Sequence, residues 1–365
     1  MIKIATIVGA RPQFVKAAIL SRKLGKYEHV DEFILHTGQH YDANMSDIFF
    51  KELGIPAPKY NLGVNQATHG AMTGKMLVDI EKVLIDEEPN MVVVFGDTDS
   101  TLAGALAAVK LRIPVAHIEA GLRSFKRAMP EEINRIVSDQ IADLLFTPTL
   151  SAQKRLTTEE QVAGRVVFSG DIMYDIAIDA VERIDSDSIL KIYGLERHEY
   201  CLVTLHRAEN TDDCVRLMCW IKGLEEIGAR TQVIFPLHPR TRNRIEGLGV
   251  KLSDFPSINF IDPVGYFEMA ALTKNAEKII TDSGGLQKEA FFHKVPCLIL
   301  RNETEWTELV GSGWSQLVSC DRDSLIESYQ AAVRPVDSQK TDFFGDGDAA
   351  GIILRTIVEF LENRN

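Results

Sequence analysis

Short β-branched runs alternate with stretches of helical periodicity along the whole 365-residue chain, and past its midpoint the alternation starts again. IKIATIV, EFILHTG, MVVVFG, IPVAHIEA, DLLFTPT and RVVFSG fill the first half, and most of the segments between them carry helical spacing, such as Val15, Ala18, Ile19 and Arg22 on successive turns. Runs this apolar suit strands of a parallel sheet covered on both faces. After a helical stretch from 171 to 195, YCLVTLH, TQVIFPLH, SINFIDP, KIITDSG, VPCLIL and SQLVSC repeat the arrangement. The expected fold is α/β: two Rossmann-like, doubly wound domains, 1–169 and 170–348, facing a cleft between the carboxyl ends of their sheets. GDGDAAGIILRTIVEFL reads as a glycine turn, an Asp348 cap and an amphipathic helix, and 349–365 is expected to pack back on the first domain.

Composition narrows the partners. A formal net charge of -12 repels nucleic acid and anionic membrane surfaces, so neither is an expected partner, and an anionic ligand needs a local cluster of Arg and Lys. The chain opens directly on a strand and its apolar runs are strand-sized, which predicts a cytoplasmic protein without signal peptide or membrane span. Cys201, Cys214, Cys219, Cys297 and Cys320 are odd in number and form no CxxC pair, so they are expected to be buried, reduced thiols.

The strand ends carry the chemistry. In TIVGARPQFVKAA, Gly9 ends a strand and Pro12 suits a first helical turn, where a dinucleotide site would need GxGxxG. Only one glycine is present, GSG at 311 and GDG at 345 lack a strand–glycine–helix setting, and no P-loop occurs, so NAD is not an expected cofactor. What remains at this turn is an anion site of outward backbone amides, Arg11 and, a turn on, Lys16. KIITDSGGLQKEAFF is a stronger phosphate candidate: Ser283, Gly284 and Gly285 open a helix after a strand, and Glu289 lies one turn on, placed to accept from a ribose diol. Tight strand–helix packing is the competing reason for those glycines.

Carboxylates cluster at three further places in the first half. Asp97 follows a strand in VVVFGDTDST, Glu119 ends one in VAHIEAGLRS with Arg123 four residues on, and Glu131 and Glu132 open a helix after Pro130. At the ends of doubly wound strands such groups border the ligand crevice. For Glu131, favourable charge in a first helical turn is the plainer alternative. In the second half LVTLHRAEN and FPLHPRTR end strands in His206, Arg207, His238 and Arg240, read as phosphate or sugar contacts; neither a cysteine partner nor H-E-x-x-H spacing accompanies them, so no metal is expected.

GARPQFVKA, TGQHYD, GDTDST, HIEAGLRS followed by PEE, LHRAEN, PLHPR and DSGGLQKEA, in this order over nearly the whole chain, resemble the non-hydrolysing UDP-N-acetylglucosamine 2-epimerase family. The resemblance implies a glycosyltransferase-B fold, UDP bound by the second domain, no cofactor, a homodimer, and inversion at carbon 2 of a UDP-sugar. It assigns catalysis or sugar binding to Arg11, Lys16, Asp97, Glu119, Glu131 and His206, and UDP binding to Ser283, Gly284, Gly285 and Glu289. The proton on carbon 2 is not adjacent to a carbonyl. The family therefore removes it as UDP leaves carbon 1, giving a 2-acetamidoglycal, and adds UDP back with protonation from the opposite face. Asp97, Glu119 and Glu131 would supply base and acid, each proton transfer contributing roughly 100-fold to 10,000-fold. Arg11, Lys16 and His206 would neutralise the departing diphosphate. A glycosyltransferase of the same fold would need one base and would leave the other carboxylates unexplained.

Two departures bear on the sugar. Tyr41 and Asp42 follow His40, and only SFKRAM separates the EAGLR motif from Pro130, which places Lys126 and Arg127 near the sugar. LHRAENTDD also replaces the family's Gly-His-Arg-Arg-Glu run. This form resembles the branch acting on UDP-2,3-diacetamido-2,3-dideoxyglucuronic acid in surface polysaccharide synthesis. A shortened loop leaves room for a second acetamido group, and a cation suits a carboxylate at carbon 6. UDP-N-acetylglucosamine is the alternative substrate.

Overall fold

The computed structural model describes residues 1–39, 56–66, 68–335 and 342–364, the Arg11 side chain excepted. His40, Tyr41 and Asp42 lie outside the described residues. The chain divides into two compact units, Met1–Ile176 with Asp342–Asn365, and Ala177–Thr341.

In the first unit, β1 (Ile2–Val8), α1 (Arg11–Leu24), β2 (Val30–His36), β3 (Tyr60–Asn61), α2 (His69–Glu87), β4 (Met91–Phe95), α3 (Asp99–Lys110), β5 (Val115–Ile118), α4 (Pro130–Ile141), β6 (Leu144–Thr147) and β7 (Arg165–Phe168) follow in order. The strands form one parallel sheet, β3-β2-β1-β4-β5-β6-β7. Helices on both faces bury it, and for that reason its strands are continuous apolar runs: every residue of MVVVF in β4 has no exposed surface. Full burial of such a side chain contributes about 1.5–3 kcal/mol, so a charge at Val93 would break the sheet at its centre.

The second unit repeats the design with β8 (Tyr200–Thr204), α5 (Cys214–Gly228), β9 (Gln232–Pro236), α6 (Pro239–Gly247), β10 (Ile258–Ile261), α7 (Tyr266–Asn275), β11 (Lys278–Thr281), α8 (Gly284–Phe292), β12 (Cys297–Ile299) and β13 (Ser315–Leu317). Its parallel order is β10-β9-β8-β11-β12-β13. The order in which strands are laid down along the sheet reverses between β1 and β4 in one sheet and between β8 and β11 in the other. Loops leaving the two central strands therefore part to opposite faces, and the crevice that opens there is the usual ligand position.

The boundary differs from the sequence reading in one physical respect. Gly170–Ile176 and the segment from Asp342 belong to the first unit, because they are stitched to each other: Asp171 N donates to Phe344 O at 2.9 Å. Asp348 stands at the N-cap position of the last helix, α9 (Ala349–Glu362), yet makes no cap bond. Asp175 does so instead, accepting from Ala349 N and Ala350 N at 2.9 Å each, while Asp348 pairs with Lys23 at 2.5 Å. The cysteines also differ in part: all are free thiols, but only Cys201 and Cys297 are buried, Cys219 and Cys320 being half-buried and Cys214 exposed.

Candidate active site

The β1–α1 turn is packed too tightly for a side chain at Gly9, where a Cβ would lie 2.0 Å from Ser100 Oγ and 2.3 Å from Thr37 Oγ1. Its amides are not free for an anion, contrary to the sequence expectation. Gln13 Oε1 accepts from Gly9 N at 2.8 Å and Ala10 N at 3.1 Å, and Gln13 Nε2 donates to Phe95 O at 2.8 Å and to Thr98 Oγ1 at 3.0 Å. One buried glutamine thus locks the turn after β1 to the turn after β4. Cationic side chains are left as the source of any anion affinity here.

Lys16, one turn along α1, is 7% exposed. Its Nζ forms an ion pair with Glu119 Oε2, reaching from α1 to the end of β5. Burial lowers the lysine pKa, but Glu119, with Asp171 and Asp97 behind it, outweighs burial and holds the ammonium above its ordinary value. Asp97, just past β4, is paired with Arg135 of α4. Burial nevertheless pushes the Asp97 carboxyl up; Glu119 acts in the same sense, and Arg135 and Lys16 oppose it. Two carboxylates and two cations from four elements therefore meet at the carboxyl ends of β4 and β5.

The other acidic candidates separate. Glu132 is structural: its carboxylate accepts from Ser124 N at 2.8 Å and Phe125 N at 2.9 Å, shaping the loop before α4. Glu131 acts electrostatically on His69, which pairs with Asp99 at 2.8 Å. Asn134 Nδ2 ties this group to the first, donating to Asp97 O at 3.0 Å and Asp99 Oδ1 at 3.1 Å. Lys126 and Arg127 are exposed.

In the second unit, Asp282 has no exposed surface and gathers the turn after β8. It accepts from His206 N at 3.1 Å, Arg207 N at 2.9 Å and Asn210 Nδ2 at 3.1 Å, and His206 Nδ1 lies 3.3 Å from Asp282 Oδ1. The His206 and His238 rings stand 5.9 Å apart. His238 Nδ1 accepts from Arg240 N at 3.1 Å, capping α6, and burial, His206 and Arg240 lower its pKa. Arg240 is exposed, and its Nη2 donates to both carboxylate oxygens of Asp212 at 2.8 and 2.7 Å.

Ser283 caps α8 through Leu286 N. Around Gly284 and Gly285 a Cβ would meet nothing nearer than 3.7 Å, and the atoms in reach of Gly284 are Arg207 Nη2, Glu305 Oε2 and Trp306 Nε1. Internal packing therefore does not require either glycine; they leave space against a helix N-terminus, which is what a phosphate needs. Half-buried Glu289, one turn on, has its carboxyl pushed up to about 7 by burial, with Lys288 opposing.

Sequence reasoning missed Gln13, His117, Arg135, Asp139 and Asp282, whose roles depend on neighbours distant in the chain. Among the described residues, no group of three or more His, Cys, Asp or Glu could hold a metal ion, and no helix is long and apolar enough to cross a membrane.

Residues 22–358 match the family described as UDP-N-acetylglucosamine 2-epimerase. The chain is 49% identical, over 98% of its length and 99% of the relative's, to UDP-2,3-diacetamido-2,3-dideoxy-D-glucuronate 2-epimerase of Pseudomonas aeruginosa. UDP-GlcNAc 2-epimerase from Methanocaldococcus jannaschii superimposes with a TM-score of 0.87 at 41% identity, covering 98% of this chain and 100% of that one. A complex of the M. jannaschii enzyme with UDP-GlcNAc and UDP superimposes with a TM-score of 0.81 at 42% identity and the same coverage.

Proposed function

The chain belongs to the UDP-N-acetylglucosamine 2-epimerase family, whose members are isomerases, and on that premise we propose that it inverts carbon 2 of a UDP-sugar by eliminating UDP and adding it back. The observation that carries the chemistry is the meeting of Asp97 and Glu119 with Lys16 and Arg135 at neighbouring strand ends. A carbon-bound proton without an adjacent carbonyl is removed only with, or after, departure of the leaving group. Base, acid and countercharge are then needed together in a site screened from water. Asp97 is the carboxyl whose surroundings favour holding a proton, Glu119 is its partner, and Lys16 offsets negative charge as the diphosphate departs. Glu131, one turn of α4 before Arg135, is the third acid.

UDP would be held by the second unit. Its diphosphate would lie against the open α8 terminus at Ser283, Gly284 and Gly285, with His206 and Arg207 beside it and Glu289 on the ribose. His238 would position His206 through ring contact. Arg11 remains a proposed diphosphate ligand from the sequence reading of the β1–α1 turn and from the resemblance.

The substrate we favour is UDP-2,3-diacetamido-2,3-dideoxyglucuronic acid, serving surface polysaccharide synthesis. Its support is the 49% identity, end to end, with the P. aeruginosa enzyme of that name. Purified protein given this nucleotide and UDP-N-acetylglucosamine separately in heavy water tests the reading. Deuterium at carbon 2 with UDP still attached is expected from the first. Efficient exchange into UDP-N-acetylglucosamine alone would transfer the assignment to that sugar, and free UDP with free sugar would replace epimerisation by hydrolysis.

A further inference from the structure

Asp97 and Glu119 sit on neighbouring strand ends, and both ends are held by one buried set of charges. His117, on β5 two residues before Glu119, has no exposed surface. Its Nε2 lies 2.7 Å from Gly96 O, the carbonyl that precedes Asp97, and its Nδ1 forms an ion pair with Asp139 Oδ1 at 2.8 Å. Asp139, equally buried, accepts from Gly121 N at 3.1 Å and from Arg123 Nη1 at 2.6 Å. Arg123 in turn is forked onto Glu160 at 2.8 and 2.5 Å and donates to Leu122 O at 2.7 Å. The set grips the backbone immediately before Asp97 and on the far side of Glu119.

Glu119 has a φ of +70°, a left-handed conformation that a non-glycine residue keeps only where its surroundings over-determine it. Buried ion pairs add little stability over apolar residues of the same volume, so fold stability alone does not explain a His–Asp–Arg set under this loop. Taking Asp97 and Glu119 as the acid–base pair of the epimerase reading, we propose that His117, Asp139 and Arg123 are positioning residues that set the spacing of those two carboxylates and hold Glu119 in its left-handed conformation.

The charge of His117 adds a second handle. Burial lowers its pKa, but Asp139 first, then the Gly96 carbonyl and Asp97, outweigh burial and keep the imidazole protonated above the usual histidine range. Both ring nitrogens then face acceptors. The cation interacts with Asp97, which Arg135 from α4 and Lys16 from α1 also face, while Glu119 from the β5 loop opposes them. Its removal raises the Asp97 carboxyl further.

His117→Gln keeps an amide donor near the Nε2 position and removes the charge; Arg123→Lys keeps the charge and removes the fork. In both variants kcat should fall by about 100-fold, the cost of a misplacement near 1 Å, with KM within about threefold of wild type. Calorimetric UDP affinity should not change, since the proposed UDP turn lies in the other unit. In His117→Gln the limb of the pH–rate profile set by Asp97 should move to higher pH, and in Arg123→Lys it should stay. Wild-type turnover in both variants overturns the proposal, as does a His117→Gln profile at the wild-type position with turnover lost only in step with melting temperature. Should His117→Gln fail to fold by circular dichroism, Arg123→Lys decides alone: a fall in kcat at unchanged KM and melting temperature supports positioning, and no fall refutes it. Failure of the epimerase reading shows separately and earlier, as wild-type protein that exchanges no deuterium at carbon 2 of either sugar nucleotide, and the proposal falls with it.

Discussion

Replacing Glu289 by Gln removes one charge and almost no volume from the helix that opens at Ser283. In the free protein the Glu289 carboxyl titrates at about 7, against an ordinary 4.5, because burial disfavours its charge and Lys288 compensates only partly. Ribose hydroxyls donating to it favour the ionised form, so the pKa must fall when UDP binds, and affinity gained above pH 7 is lost as the pH drops through 7. The ionised fraction rises from about one-tenth at pH 6 to about nine-tenths at pH 8, so wild-type affinity should rise about tenfold over that range, or about 1.4 kcal/mol. The second ionisation of a terminal phosphate, near pH 6, contributes to wild type and variant alike, so their difference isolates Glu289. Calorimetry in buffers of different ionisation enthalpy should also detect about half a proton released per UDP at pH 7 in the wild type, beyond the release seen with Glu289→Gln. A second readout follows from linkage. A carboxyl raised from 4.5 to about 7 contributes stability that is present below 4.5 and lost as the pH rises through 7. Glu289→Gln should therefore make the ligand-free protein more stable than wild type at pH 8, by about 1–3 kcal/mol after allowance for partial exposure. Parallel pH curves of UDP affinity for the two proteins would refute the coupling and with it the ribose contact.

Asp97→Asn and Glu119→Gln should each lower the rate of deuterium exchange at carbon 2 by about 100-fold or more while UDP affinity is kept; wild-type exchange in either removes that residue from the acid–base pair. Gln13→Ala leaves Gly9 N and Ala10 N without their partner, while Phe95 O keeps Thr101 Oγ1 as a donor, and should destabilise the protein by about 2–3 kcal/mol, read as a lower denaturant midpoint at unchanged slope. Gly284→Ala adds a methyl with no protein atom nearer than 3.7 Å, so the melting temperature should hold while UDP affinity falls; a fall in both would return the glycine to a packing role.

Local pattern was enough for the sheets and the turns. A run such as MVVVF excludes a solvated face, and its only economical use is a strand buried on both sides, so the parallel architecture follows from composition at short range. The strand ends follow from it, and Asp97, Glu119, His206 and Ser283 were legible because each directly succeeds such a run. What the sequence conceals is what binds those residues. The Lys16 and Glu119 pair spans 103 positions and the Gln13 bond to Phe95 spans 82, and periodicity carries no information at that range. Arg240 follows a strand like the others, and sequence could not show that its guanidinium pairs with Asp212, 28 positions away. The same logic divides the two phosphate candidates. Both are glycine turns before a helix, and sequence ranks them only by glycine count. The structure separates them, since Gln13 already fills the first turn's amides, whereas a Cβ at Gly284 or Gly285 would meet no protein atom nearer than 3.7 Å.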